Sequence, residues 1–307
     1  MHSKHKGIAA AVTAFLFWGL TPLYWSQLRE VPALESIYHR VIWSFVLLLI
    51  VVILKQRAQI RRETHRRAGS TRLIPNRSIL LQTTIAGILV VANWLTYVWA
   101  VTHGRTLEAS LGYYINPLVS IALGTLVLRE RLDRLQAIAV FVAGLGVIYL
   151  TIRLGSLPWV SLVLAGSFGV YGLIKKKLPI GSTHSLALEL LPIAPFATLL
   201  VIVGLMKGNS SLGYADIATF LLLFGSGAIT VVPLVLFGYA TQTIRLSDVG
   251  FAQYIAPTMM LLIGVFVFGE PFDIARIPGF LAVWCALILY SLSVVRATRS
   301  ETNSVDL

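Results

Sequence analysis

Two charged residues interrupt long apolar runs in this 307-residue chain, Arg40 and Glu189. A charge at the centre of a helix in lipid costs about 3 kcal/mol, so such residues usually face a wet cavity or a packed bundle interior. Aligning Ser36 with Ser185 sets Arg40 opposite Glu189, a cation in one place and an anion in its counterpart. Arg40 reads either as a contact for a solute or gate, or as an anchor reaching surface water. Glu189 reads first as such an anchor, with ion coupling as the alternative. Glu108, at the mouth of another apolar run, is a second coupling candidate.

Around these charges stand aromatic and amide side chains. Trp43, Trp94, Trp99, Tyr113, Tyr114, Tyr171 and Tyr254 lie within apolar runs, with Asn93, Asn116 and Gln253 among them. As a group they suit a cavity for a flat, partly apolar solute. Singly, each reads first as helix packing or an interhelical hydrogen bond. Pro117 and Pro257 each remove a backbone donor near the start of a helix and free a carbonyl. Beside a cavity that carbonyl binds solute; elsewhere it marks a packed kink. No phosphate-binding loop, no paired acids in one run and no His/carboxylate cluster with metal spacing occur, so an enzyme, a metal site and a cofactor are not expected. Cys285 is the one cysteine, which excludes an internal disulfide.

The elements that must position these residues follow from hydropathy. The chain is 57% hydrophobic and 12% charged, against about 25% charged in a soluble domain. Ten apolar runs are long enough to cross a bilayer as helices: 7–27, 36–54, 79–102, 109–128, 135–152, 157–174, 186–206, 217–244, 249–268 and 277–295. They do not alternate polar with apolar residues, which excludes a barrel. The first run follows a basic stretch but lacks a small-residue cleavage site, so it reads as a span rather than a leader.

The net charge of +12 is concentrated in alternate connections rather than on a nucleic-acid surface. The two termini and the loops after spans 2, 4, 6 and 8 hold 19 Lys and Arg; the other five loops hold 5. Both termini are therefore expected in the cytoplasm. The loop from Lys55 to Arg77, the longest basic one, reads as an anchor near anionic lipid or, alternatively, as a regulatory segment.

One stretch is written twice, 140 residues apart. Residues 114–133 and 254–273 share Tyr114/Tyr254, Ile115/Ile255, Pro117/Pro257, Gly124/Gly264, Val127/Val267, Glu130/Glu270 and Asp133/Asp273 without a gap. Two five-span units follow, 1–152 and 153–296, with a tail at 297–307. An odd number of spans in each inverts the second copy in the membrane. The expected fold is all-α, ten transmembrane helices in two inverted five-helix repeats. A long internal repeat in a membrane chain points to transport of a small molecule between the halves; a passive facilitator and a non-transporting scaffold or sensor are the alternatives.

The segments Phe17–Gly19, His39–Ser44, Asn93-Trp94, Trp99–Val101, Glu108–Leu118 and Gln253–Thr258 resemble the EamA family of the drug/metabolite transporter superfamily, and within it the RarD subgroup, named for chloramphenicol sensitivity. The resemblance spans roughly 7–296. It implies a bacterial inner-membrane exporter of metabolites or drug-like compounds with a central cavity between two five-helix repeats. The second half departs from the first at Ala256, where the first has Asn116, and at Ala252-Gln253, where it has Gly112-Tyr113. The two halves are thus expected to give the cavity different groups.

Overall fold

The computed structural model describes residues 2–63, 76–155, 158–213, 215–270 and 273–303. Among them the ordered elements are all helical. In chain order they are α1 (His2–Trp25), α2 (Ala33–Glu63), α3 (Arg77–Thr102), α4 (Thr106–Leu126), α5 (Arg134–Leu154), α6 (Trp159–Lys177), α7 (Ser182–Leu190), α8 (Ala194–Met206), α9 (Ile217–Thr243), α10 (Leu246–Gln253), α11 (Ile255–Phe266) and α12 (Ile277–Asn303), with three single-turn 3₁₀ segments between. Most of the basic loop, residues 64–75, lies outside the described residues.

The helices are apolar on nearly every face, and large side chains such as Ile88, Phe141, Phe196, Leu221 and Ile288 point outward. An exterior of that kind is stable against hydrocarbon, where every backbone group must be satisfied within the helix. Among the described residues seven helical segments are long and apolar enough to cross a membrane, one of them residues 246–266, α10 and α11 together. An eighth crossing forms if α7 and α8, bent by 46° across residues 191–193, count as one. The expected tally of ten therefore turns on α4 and α6. These two carry more polar residues, with Glu108 and Asn116 on α4 and Lys175–Lys177 closing α6. They also pack along one another.

Helix ends follow local chemistry. Asp133 caps α5 through the Gln136 amide at 2.9 Å, and the Gln136 side chain returns a bond to the Asp133 amide. Asp216 caps α9 through Thr219 N at 2.8 Å. Small residues let helices close in. Ala139 and Ala143 on α5 are wholly buried against Val283 and Ala286 of α12. A Cβ at Gly227 on α9 would stand 2.5 Å from the Trp43 carbonyl carbon on α2. These are the packing roles expected for small residues in helix interfaces.

The hairpin turn after α4 recurs after α11. Glu130 N bonds Gly124 O at 3.0 Å and Glu270 N bonds Gly264 O at 2.9 Å. Arg129 (φ 57°) and Gly269 (φ 65°) take the same left-handed conformation at matched positions. The written repeat is thus a repeated conformation. It is not complete: α4 runs unbroken through Pro117, whereas the second copy breaks at Tyr254 into α10 and α11.

Helix neighbours are α4 with α6 and α10, α1 with α9 and α11, α3 with α6 and α7, α2 with α9 and α7, and α5 with α12.

Candidate functional site

A cavity of about 510 Å³ lies among α1, α2, α3, α4, α6 and the α10–α11 break. It reaches the connection between α1 and α2 at Trp25, Leu28, Arg29 and Val31. Of the residues expected to line it, Arg40, Asn93, Trp94, Tyr113, Asn116 and Gln253 do so, and Pro257 with them. Pro117 and Pro257 withhold the amides that the carbonyls of Tyr113 and Gln253 would meet in an unbroken helix, and both of those residues face the cavity. Tyr97, Trp18, Phe15 and Phe168 complete much of the wall.

Arg40 is fixed on two sides. Its Nε donates to Thr230 Oγ1 at 2.7 Å, and its guanidinium lies 3.8 Å over the Trp94 ring. It is half-buried on the cavity wall. Asn93 is spent on structure, donating to Leu164 O at 2.8 Å and Ser167 Oγ at 2.9 Å. Gln253 pairs with Ser120 at 3.0 Å. Asn116 Oδ1 is buried without a hydrogen-bond partner among the described residues.

The other aromatic candidates lie elsewhere. Trp43 packs on Phe224 and Phe220 at the α2–α9 contact. Trp99 stacks on His103 and Trp159 at a half-exposed helix end. Tyr114 is buried, donating to Pro257 O at 3.2 Å, and Tyr254 is wholly buried in the same core. Tyr171 is fully buried and is not among the residues that line the cavity. The reason is angular: apolar runs give the depth of an aromatic residue but not the side of the helix it occupies, because all sides are apolar.

Behind the lining residues Phe15, Trp18 and Phe168, the fully buried Phe237 and Tyr171 form an aromatic layer; Phe168 and Phe237 centroids are 5.1 Å apart, Tyr171 and Phe237 5.9 Å. Next to Tyr171 is a buried ion pair. Lys175 Nζ lies 2.7 Å from Glu189 Oε1, and both side chains are fully buried. Ser185 Oγ donates to Glu189 Oε1 at 2.5 Å and Tyr171 OH to Oε2 at 3.1 Å. One sequence reading is corrected here: Glu189 does not reach surface water. Lys175, in the last turn of α6, is buried with it. Lys175 shares a face with Tyr171 one turn earlier, the one sequence signal for its inward direction, which the adjacent Lys176-Lys177 masks.

Glu108 is buried on the first turn of α4, with Oε1 3.0 Å from Arg105 Nη1 and Oε2 without a hydrogen bond. It lies outside the cavity lining. At the matched position Asp248 binds Arg245 Nη2 at 2.7 Å. Glu35 was missed by the sequence reading: buried on α2, it accepts from Ser210 Oγ, Ser211 N and Ser211 Oγ and lies 3.7 Å from His39. No cluster of metal-ligating residues occurs among the described residues.

The sequence profile of the EamA-like transporter family matches residues 5–152. An uncharacterized transporter, YojE of Bacillus subtilis, is 43% identical over 97% of this chain and 97% of its own. Protein RarD of Escherichia coli is 35% identical over 97% of this chain and 98% of its own. A chloramphenicol-sensitive protein RarD of Pseudomonas aeruginosa is 26% identical over 99% of both chains. One solved crystal structure superposes with a TM-score of 0.65 at 16% identity, over 93% of this chain and 97% of its own, a likeness of fold.

Proposed function

Because this chain belongs to the EamA-like transporter family as an integral protein of the bacterial inner membrane, we propose that it exports a small organic solute by alternating access, as a secondary transporter. In this reading residues 1–152 and 153–296 are the two units. α1 to α6 are spans one to six, α7 with α8 is the seventh, α9 the eighth, α10 with α11 the ninth and α12 the tenth. Both termini face the cytoplasm.

The observation that carries the reading is the symmetry of helix neighbours. Exchange each span for the one five places on. The α4–α6 contact becomes α1 against α10 and α11; α2–α9 becomes α3–α7; α1–α9 becomes α3–α6. Each of these contacts is present. The pairs α5–α12, α4–α10 and α2–α7 map onto themselves and lie on the axis. Two units that make the same contacts in opposite orientations can trade conformations, which turns a cavity open at one end into one open at the other. Here the cavity reaches the α1–α2 connection, assigned outside, and the buried aromatic layer of Phe237 and Tyr171 lies behind Phe15, Trp18 and Phe168 of its wall. Under the exchange Glu189 takes the place of Arg40, so the Lys175–Glu189 pair would border the cavity in the opposite state. That makes Glu189 the candidate for coupling.

The test is accumulation by everted membrane vesicles containing the protein, offered amino acids, aromatic metabolites, nucleosides and chloramphenicol; the name of one relative puts the last on the panel. At least one solute should accumulate beyond vesicles without the protein. Arg40→Ala should reduce that accumulation severalfold at equal protein abundance. Equal accumulation with and without the protein across the panel, or full transport by Arg40→Ala, would overturn the reading or its site respectively.

A further inference from the structure

We propose that the cavity selects an organic monoanion: a carboxylate carried on a flat, apolar body. This deepens the transport reading and rests on it. Among the described residues the charged groups lining the cavity are Arg40 and Arg29, and no acid lines it. Arg29, at the mouth, lies 5.7 Å over the Phe268 ring. Arg40 is deeper. Thr230 holds its Nε and Trp94 its face, so the plane of the guanidinium is set before any solute arrives. Its two terminal nitrogens meet no protein acceptor among the described residues. A planar fork with its donors unspent matches the two oxygens of a carboxylate. Glu189, on the other charged span, already has its cation in Lys175 at 2.7 Å. Arg40 has no such partner, and the missing charge is what the solute brings.

The remaining chemistry narrows the class. One fixed deep cation balances one negative charge, which favours a carboxylate over a phosphate dianion. Trp18, Phe15 and Phe168 give the cavity apolar faces for the solute's body. Asn116 Oδ1, buried and unpaired at the cavity, accepts from a donor on that body.

The test is thermal unfolding of the purified full chain in detergent with matched probes: phenylacetate and phenylacetamide, indole-3-acetate and its amide, and acetate. Ligand binding raises the melting temperature by mass action. The aromatic carboxylates should stabilise; the amides and acetate should not. Arg40→Gln should weaken carboxylate binding by roughly 10–100-fold, the range for a lost charge-assisted pair. Arg40→Lys keeps the charge without the fork, and Thr230→Val frees the plane; both should weaken it less. Equal stabilisation by the amides, survival of the carboxylate effect in Arg40→Gln, or no response to any probe by the folded protein would overturn the proposal. In the first two cases, or if vesicles move a neutral solute, the transport reading stands without it.

The repeated hairpin turns differ in what their glutamates hold. Glu130 accepts from Leu246 N at 2.7 Å and Ser247 N at 2.8 Å, closing the first turn of α10. The positions 140 residues earlier are Thr106 and Leu107, the first turn of α4. Glu270, matched to Glu130 and built on the same turn, accepts no hydrogen bond among the described residues. We infer that Glu130 and Glu270 are alternating latches: one caps α10 while the cavity is open at the α1–α2 end, and the other caps α4 in the opposite state. The check uses Ser36→Cys at the cavity in a Cys285→Ser background, labelled on whole cells with an impermeant maleimide. Glu130→Gln, or Glu130→Asp if the first is scarce, should slow labelling severalfold by shifting the population. Glu270→Gln should leave it equal or faster. Responses in the same direction, or none, would overturn the latch. Labelling from the cytoplasmic face instead would overturn the assigned orientation, while opposed responses there would still report the latch.

Discussion

Lys175 and Glu189 show what a single position costs in this protein. Each is fully buried, and each is neutralised by the other at 2.7 Å. Removing one partner leaves an uncompensated buried charge, a loss of about 3–5 kcal/mol, whereas replacing both by apolar groups can be nearly neutral. Glu189→Gln and Lys175→Met should therefore each lower the melting temperature of the purified protein strongly. The Lys175→Met/Glu189→Leu double variant should recover most of the loss. If the double variant is as unstable as the singles combined, the two do not act as a pair. The same double variant should still bind solute at the cavity but lose gradient-driven accumulation, if Glu189 is the coupling group.

At the scale of elements, close approach and capping decide the geometry. Gly227 lets α9 meet the α2 backbone at Trp43. Gly227→Ala should separate the two helices and displace Thr230, one turn on, from Arg40. Lower thermal stability and weaker solute binding together would confirm this; unchanged binding would show that Arg40 tolerates the shift. Asp133 caps α5 and accepts from Ser293, tying α5 to α12. Burial raises its carboxyl pKa, but the hydrogen bonds from Ser293 and the Gln136 and Leu135 amides outweigh that and hold it below its usual 3.8. A depressed carboxylate stabilises above its unfolded value and loses that contribution as pH falls through the folded one. Asp133→Ala should thus cost about 1 kcal/mol at pH 5–8. The difference from the unsubstituted protein should vanish well below pH 3.8. A cost that persists there would point to packing rather than the cap.

For the molecule as a whole, orientation is the exposed assumption. Phosphatase fused after Gly104, in the α3–α4 connection, should be active, because that connection is assigned outside. Phosphatase fused at the C-terminus should be inactive, and a fluorescent protein there should fluoresce. An active C-terminal phosphatase would break the count of ten and the inversion with it. The repeat at 114–133 and 254–273 was legible because Pro, Gly, Glu and Asp at fixed spacing specify a turn, and the turn recurs. The different partners of Glu130 and Glu270 were not legible, since the two copies match in sequence at the turn and differ in what packs against it.

Hydropathy by itself determined that the chain is helical and lives in a bilayer, because a run of apolar residues has no other way to satisfy its backbone in hydrocarbon. Intramembrane charge singled out Arg40 and Glu189, because the cost of burying an ion leaves few places for one. Which residues meet was decided by the tertiary structure. Helices apolar on every side carry no periodic signal for their facing, so the rotation that turns Trp94 and Tyr113 to the cavity, Trp43 and Trp99 away, and Lys175 inward to Glu189 follows only from how the helices pack.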